Sequence, residues 1–206
     1  KQGWFSWIYE QCGLEPGIKV LETGCGDGRL WVDNIKNVEK LKNIKITVTD
    51  ISEGMVNDAR RNIGNGMFDY GVADCMNLPF DNSFDCVIAN HVIFYCEEPG
   101  KAFKEIKRVL KPGGKAVFST YGSHHMQEIA QLVNQFDKRI VLSADVLYEK
   151  FGLDNGERLL KKYFNKVCMM IICLLTWQSL LLNIFCHVMA IRIIIFWTDI
   201  QILKRL

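Results

Sequence analysis

Short apolar strands alternate with amphipathic helices along the first 166 residues, and this alternation constrains the fold more than any other feature of the chain. The strand-like runs are "GIKVLETG", "IKITVTD", "MFDYGVAD", "FDCVIANHVIFY" and "KAVFST". Helical patterns are predicted at residues 4–12, 28–40, 51–64, 97–110, 124–137, 143–151 and 155–166. Strands separated by helices pair in parallel, and right-handed crossovers place the helices on both faces. We therefore predict an α/β fold with a doubly wound, mostly parallel sheet.

Polar residues and glycines gather where the predicted strands end. The stretch from Glu22 to Gly28 follows the first strand, Asp50 ends the second, and Asp74 follows the third. Asn90 and His91 come at the end of the fourth strand. Ligands of such sheets bind beyond the carboxyl ends of the strands, so these positions predict one binding site.

The glycine loop "VLETGCGDG" is either a nucleotide-binding loop or an ordinary tight turn. A dinucleotide fingerprint needs G-x-G-x-x-G, which counted from Gly24 requires glycine at position 29. That position is Arg29, and the third glycine comes one residue early at Gly28. This spacing disfavours a dinucleotide.

Two acids favour binding of a nucleoside. Asp50 lies 28 residues after Glu22, where a carboxylate accepts hydrogen bonds from both hydroxyls of a ribose. Asp74 can accept a hydrogen bond from an adenine amino group. The structural alternatives are a helix N-cap or solvated acid for Asp50 and a turn residue for Asp74.

Several motifs in order resemble those of the class I S-adenosylmethionine-dependent methyltransferases. They are "VLETGCGDG", "VTDIS", "ADCMNLPFDNSFDCVIANHVIFY" and "AFKEIKRVLKPGG", which together cover about residues 14–120. The small-molecule type with the "LPF…FD…RVLKPGG" pattern is the most similar. The resemblance implies a Rossmann-like methyltransferase fold, S-adenosylmethionine as cofactor, and methyl transfer to a small-molecule acceptor by in-line displacement.

The resemblance also implies roles for individual residues. Glu22 is expected near the methionine amino group, and the backbone of Gly24, Cys25 and Gly26 close to the cofactor. Asp50 is expected to bind the ribose and Ile51 to pack on the adenine, while Asp74 binds the adenine amine with Cys75 beside it. Asn90 is expected to face the methionine part and His91 the substrate.

Methyl transfer from a sulfonium needs alignment and exclusion of water, and an N- or O-acceptor can also need a base. His91 is the first candidate for this base, followed by His124 and His125. Alternatively, His91 only caps a strand end and the His pair lies on a solvated loop. Four aromatic residues are candidates for the walls of the substrate pocket or for ordinary packing: Trp4, Trp7, Tyr95 and Tyr121.

Net charge and cysteine content limit the classes of partner and the cellular compartment that the sequence predicts. The net charge of +2 predicts neither nucleic acid nor an acidic membrane as partner. The eight cysteines form no C-x-x-C pair, so we expect reduced thiols in a cytoplasmic protein and no metal site. The start of the chain has no apolar run typical of a signal peptide. Nothing in the sequence indicates an oligomeric state.

The last 40 residues have a different composition from the rest, so we divide the chain into a methyltransferase domain at 1–166 and an anomalous hydrophobic tail at 167–206. All 16 glycines and all 4 prolines precede the tail, and no charged residue occurs from Val167 to Ile191. The run is long enough to span a membrane, although polar residues interrupt it. A pair of buried strands is the second interpretation, but no turn signal separates them.

The third interpretation is a shift of the reading frame after about residue 167, which we favour over membrane contact. When each codon is read from its last base, Met169-Met170-Ile171 gives Asp-Asp and Met189-Ala190 gives Gly. This shifted text has the polar character that the family's last two strands show.

Two other functions stay open. A nucleotide-dependent oxidoreductase can use a similar sheet, although Arg29 counts against it. A non-catalytic or defective cofactor-binding protein is the other alternative, because the tail departs from the family pattern.

Overall fold

One seven-stranded sheet organises the chain. The computed structural model describes residues 3–64, 66–123, 125, 127–140, 144–175 and 190–199. The strands are β1 Lys19–Thr23, β2 Lys45–Asp50, β3 Phe68–Val72, β4 Phe84–Asn90, β5 Leu110–Tyr121, β6 Lys166–Leu175 and β7 Ala190–Asp199. Their order in the sheet is β3-β2-β1-β4-β5-β7-β6.

The first five strands are all parallel, as predicted. β1 pairs with both β2 and β4, β3 extends the sheet beyond β2, and β5 extends it beyond β4. The described helices are α1 Trp4–Cys12, α2 Arg29–Val38, α3 Glu53–Ile63, α4 Pro99–Val109, α5 Gln127–Phe136, α6 Ala144–Lys150 and α7 Gly156–Leu160, with a 3₁₀ turn at Ile93–Tyr95.

The central strands are buried on both faces, which explains their nearly continuous apolar sequence. Leu21 of β1 and Val87 of β4 belong to one hydrophobic cluster, whereas Val20 and Ile88 belong to another. Successive side chains of a strand point to opposite faces, so these are the cores above and below the sheet. The predicted doubly wound α/β architecture is confirmed.

Local signals fix some element boundaries, and tertiary pairing moves others. The Ser52 hydroxyl accepts a hydrogen bond from the Met55 amide at 3.4 Å and caps α3, which stops before Gly64. β5 begins at Leu110 instead of the predicted Lys115, because Leu110 pairs with Phe84 before the register shifts. The "KPGG" segment therefore lies inside a strand.

The C-terminal residues complete the sheet as two antiparallel strands. β7 pairs antiparallel with β5 on one side and with β6 on the other. This backbone arrangement corresponds to the interpretation as a pair of strands, although residues 176–189 between them lie outside the described residues. In the part of the chain that the structure describes, no helix is both long and apolar enough to cross a bilayer.

The core above the sheet gives a stability prediction. Phe103 of α4 is 1% exposed, and its ring centroid lies 5.6 Å from that of Phe118 and 5.4 Å from that of Phe151. Phe103→Ala should lower the free energy of unfolding by about 3–5 kcal/mol, because it leaves a cavity. The same truncation at Phe136, which is 90% exposed, should change it by less than about 0.5 kcal/mol. Urea denaturation measures both, and equal losses would contradict this assignment of the core.

Candidate active site

A cleft of about 370 Å³ opens where β1, β2, β3 and β4 end. Seven of the residues predicted to form the site line it: Gly24, Gly26, Asp50, Ile51, Asp74, Cys75 and His91. Tyr95, a predicted wall residue, lines it as well. The convergence of strand ends expected from the sequence therefore produces a real concave site.

The glycine loop after β1 is fastened to the end of β2. The Gly26 amide donates to Asp50 Oδ2 at 3.0 Å, and the Cys25 amide donates to the Thr49 carbonyl at 2.9 Å. Gly24 and Gly26 have φ of +72° and +55°, which an L side chain rarely adopts. A Cβ on Gly24 would also lie 2.7 Å from Val92 Cβ, so the loop packs closely against the chain that follows β4.

Two carboxylates stand on neighbouring walls of the cleft. Asp50 Oδ1 accepts from the Ser52 amide at 3.0 Å, while its other oxygen accepts from Gly26. Asp74 Oδ1 accepts from the Met76 amide at 2.8 Å. A carboxylate offers about four lone-pair sites, so each acid is held in place and can still accept hydrogen bonds from a ligand.

Glu22, which was predicted to lie near the methionine amino group, does not line the cleft. Its side chain is 1% exposed, and Oε2 accepts a hydrogen bond from Trp31 Nε1 at 2.5 Å. The buried indole N–H needs an acceptor, and Glu22 supplies it from the middle of the sheet. Burial raises the pKa of Glu22 to about 8, and the nearby Asp50 charge adds to this, against the Trp31 hydrogen bond.

Cys25 and Asn90 also lie beside the cleft without lining it. Cys25 is buried, and burial raises its thiol pKa, so it contributes backbone to the loop and no reactive sulfur. Asn90 Oδ1 accepts a hydrogen bond from Ser119 Oγ at 2.5 Å, and Ser119 Oγ accepts one from the His91 amide at 2.9 Å. The hydrogen bonds of Asn90 and Ser119 thus fix the turn after β4.

An aromatic cluster surrounds His91 at the edge of the cleft. The His91 ring centroid lies 5.3 Å from that of Trp4, 6.0 Å from that of Phe94 and 6.2 Å from that of Tyr121. Trp7 lies behind Trp4, with 5.7 Å between ring centroids. Trp4, Trp7 and Tyr121 therefore come together beside the cleft, whereas Tyr95 is the only one of the four predicted wall residues that lines it.

The surroundings of His91 keep its imidazole neutral. Burial, together with the charge of the nearby His125, lowers the pKa of His91 to about 4. A base works best when its pKa is near the working pH, so His91 is a weaker general base than its position suggested. Burial also lowers the pKa of His125, whose ring centroid lies 4.5 Å from that of Tyr121. His124 lies outside the described residues.

Sequence reasoning missed six of the fourteen residues that line the cleft: Thr23, Met55, Ala73, Met76, Val92 and Cys96. Position directly beside a predicted residue was the available signal for Thr23, Ala73, Met76 and Val92. Cys96 directly follows Tyr95, a predicted wall residue, whereas Met55 reaches the cleft only through tertiary packing. The buried Thr23 Oγ1 has no hydrogen-bond partner among the described residues.

The family comparison bears on this same edge of the sheet. The family model described as "Methyltransferase domain" matches residues 21–118, which contain all the cleft-lining segments. The chain thus contains a region, residues 21–118, that is similar to a methyltransferase domain. Among curated relatives, it is 36% identical over 108 residues to cycloartenol-C-24-methyltransferase 1 of Oryza sativa subsp. japonica, covering 50% of this chain and 30% of the relative.

The chain is also similar to a second curated relative and to a solved structure. The chain is 30% identical over 143 residues to the ubiquinone/menaquinone biosynthesis C-methyltransferase UbiE of Haemophilus ducreyi, covering 67% of this chain and 54% of that protein. The complex between the Haloferax volcanii Trm112 methyltransferase activator and a methyltransferase has a TM-score of 0.72 at 20% identity, covering 95% and 88% of the two chains. That similarity concerns the fold. The chain spans about half the length, or less, of the curated relatives it matches.

The two glycines of the loop after β1 give a matched pair of variants. Alanine at Gly24 or Gly26 costs about 1–2 kcal/mol of left-handed backbone strain at either position. Only Gly24→Ala also meets Val92, since a Cβ at Gly26 has no described atom within 4 Å. We expect a larger loss of stability in urea for Gly24→Ala, partly restored by adding Val92→Ala. Equal losses, or no coupling with Val92, would refute this close contact.

Glu22 gives a prediction on pH. Its pKa rises from 4.5 to about 8 on folding, so between these values the folded state holds a proton that the unfolded state has lost. Stability should therefore fall as pH rises through this window, by at most about 1.4 kcal/mol per pH unit from this group.

Glu22→Gln cannot titrate and should flatten that part of the pH dependence in urea denaturation. The matched control is Glu10→Gln, at an exposed position of α1, which should leave the profile unchanged. An unchanged profile for Glu22→Gln would show that the carboxyl titrates normally.

Proposed function

We propose that the cleft binds S-adenosylmethionine and that the chain transfers its methyl group to a small-molecule acceptor. The observation that carries the proposal is the placement of Asp50, Asp74 and the Gly24–Gly26 loop around one cleft. Thr23 Oγ1 adds a buried polar atom without a described partner, which fits a polar ligand lying against the end of β1.

The proposed contacts follow from what each side chain still has available. Asp50 accepts from the ribose hydroxyls, while Gly26 and Ser52 keep its carboxylate oriented. Ile51 is 69% exposed and Met55 43% exposed, so both have free apolar surface on which an adenine ring can pack. Asp74 accepts from the adenine amino group, and Thr23 Oγ1 faces the methionine part.

The charge of the cleft agrees with a cationic ligand. Its described lining has two carboxylates and no Lys or Arg. A dinucleotide brings a pyrophosphate, which needs positive or N–H-rich surroundings, so the oxidoreductase alternative is disfavoured. The neutral His91 adds no repulsion toward a positively charged group.

When bound, S-adenosylmethionine supplies a methyl group that its sulfonium already activates. The chain then has to hold the acceptor in line and keep water out. The rings of Trp4, Phe94 and Tyr121 form an apolar surface around the neutral His91, beside the loop that would hold the cofactor. In this proposal His91 orients the acceptor, and its lowered pKa makes it a weak base for any proton that the acceptor loses.

We propose a small apolar acceptor, because Tyr95 lines the cleft and three further aromatic rings surround His91 at its edge. Tyr95 is 66% exposed there and can move against a bound molecule. The two relatives named above carry cycloartenol and ubiquinone/menaquinone in their names, which supports an apolar acceptor for this chain as well. A cytoplasmic location is proposed on the described cysteines, which are all free thiols.

Ligand binding tests the proposal. Calorimetry should show binding of S-adenosylhomocysteine and none of NADH at the same concentration. Asp50→Asn should weaken that binding about tenfold or more, because it removes a charged acceptor. Asp69→Asn, at an exposed position of β3, is the matched control and should bind normally. Preference for NADH would overturn the proposed cofactor. Binding without methyl transfer from labelled cofactor to any of a panel of apolar metabolites would favour the non-catalytic alternative.

We also propose that the coding sequence changes frame after about residue 167, which would make 167–206 foreign to the methyltransferase domain at 1–166. The uncharged run from Val167 to Ile191 and the polar text of the shifted frame support this. Sequencing the coding DNA across codons 160–175 tests it, and an intact frame in an independent isolate would refute it.

A further inference from the structure

Two cysteines from separate elements meet in the wall of the cleft. Cys75 lies in the turn after β3, and Cys96 directly follows the 3₁₀ turn Ile93–Tyr95. Their Sγ atoms are 3.1 Å apart, although 21 residues separate them in sequence. Both residues line the cleft and are otherwise buried, at 7% and 5% exposure. Small molecules therefore reach this thiol pair through the cleft.

The two sulfurs differ in their readiness to lose a proton. The two thiols share a hydrogen bond in which either sulfur can be the donor, and this contact lowers the pKa of Cys96 and raises that of Cys75. The ammonium of Lys150, which donates to the Cys96 carbonyl oxygen at 3.3 Å, also lowers the pKa of Cys96. Burial and the Asp74 carboxylate raise the pKa of both thiols. Cys96 is consequently the better nucleophile of the two.

The other buried thiols have no such arrangement. Cys12 and Cys86 are completely buried in the opposite core, where burial raises the pKa of each. Cys25 is also buried with a raised pKa. Among the buried cysteines that the structure describes, only the pair at 75 and 96 combines a neighbouring thiol with access from a cleft.

We propose that Cys75 and Cys96 form a modification site, a dithiol that low-molecular-weight disulfides oxidise through the open cleft. The Cys96 thiolate attacks one sulfur of the small disulfide, forms a mixed disulfide and releases one small thiolate. Cys75 then loses its proton to solvent and attacks Cys96 Sγ, which releases the second small thiolate. The pair loses two electrons, and the small disulfide is reduced to two thiols.

Formation of the bond needs little movement but changes the cleft wall. The sulfurs have to approach by about 1 Å to reach a disulfide length of about 2.05 Å. The new bond would tie the turn that carries Asp74 to the segment that carries Tyr95, both of which line the cleft. Oxidation would thus fix two walls that a ligand touches.

A ligand in the cleft should shield the pair, and this part of the inference rests on the proposed function. If only the empty cleft reacts, the oxidation rate follows the fraction of protein without ligand. At ten times its Kd, S-adenosylhomocysteine should slow the oxidation about elevenfold. The thiols would then be oxidised only while the cofactor site is empty.

Cystamine, a small disulfide, is the probe for the full chain. After timed incubation, acid quenching, unfolding and alkylation of the remaining thiols, peptide mapping should show a Cys75–Cys96 cross-link. Cys75→Ser should instead keep a cysteamine adduct on Cys96, because no second thiol displaces it. Cys86→Ser is the matched control and should form the cross-link at the wild-type rate.

The outcomes separate this inference from the proposed function. Absence of the cross-link, or cross-links of other cysteine pairs at the same rate, would overturn the modification site. Calorimetry on the same sample reports binding of S-adenosylhomocysteine independently of the sulfur chemistry. If the ligand binds and does not slow oxidation, access through the cleft is wrong. If it does not bind while the cross-link forms, the proposed cofactor is wrong and the dithiol site stands.

Discussion

Parallel pairing of β1 with both β2 and β4 is the constraint on which the rest of the site depends. It aligns the ends of these strands, so that the loop after β1 lies between Asp50 and the turn at His91. The Gly26–Asp50 hydrogen bond then fixes the loop across the strand pair. Because β1 is buried on both faces, the polar groups near its end must be satisfied either by the protein, as for Glu22, or by a ligand, as proposed for Thr23.

Burial and position give the three acids and the histidine different roles around the cleft. Glu22 is buried, and its pKa is raised to about 8. Below that pH its carboxyl is neutral, and it accepts a hydrogen bond from Trp31 in this form. Asp50 and Asp74 lie at the cleft, and backbone amides hold both carboxyl groups in place. His91 stays neutral because it is enclosed by aromatic rings. The result is a cleft whose fixed charges are all negative, suited to a cation.

The sequence predicted the fold and the edge of the sheet at which the cleft lies, because both follow from local patterns. Strand ends rich in Gly and Asp identify the edge at which a parallel sheet binds ligands, so Asp50 and Asp74 could be assigned without a structure. The direction of a buried side chain depends on tertiary partners. The burial of Glu22 was not predicted for this reason, since nothing local indicates that its carboxyl accepts a hydrogen bond from Trp31. Met55 was missed likewise, because its segment reaches the cleft only once the helices pack.

The thiol pair is a consequence of the same convergence that forms the cleft. The turn after β3 and the 3₁₀ turn after β4 both lie at the carboxyl edge of the sheet, so residues distant in sequence meet there. A thiol in such a place is protected from large reagents by burial and remains open to molecules that fit the cleft. In a reducing compartment such a dithiol stays reduced unless the oxidising potential rises, which is the behaviour of redox-responsive cysteines. Cys75 directly follows Asp74, and Cys96 directly follows Tyr95. The oxidation state of the two sulfurs is therefore linked to the occupancy of the cleft that these residues line.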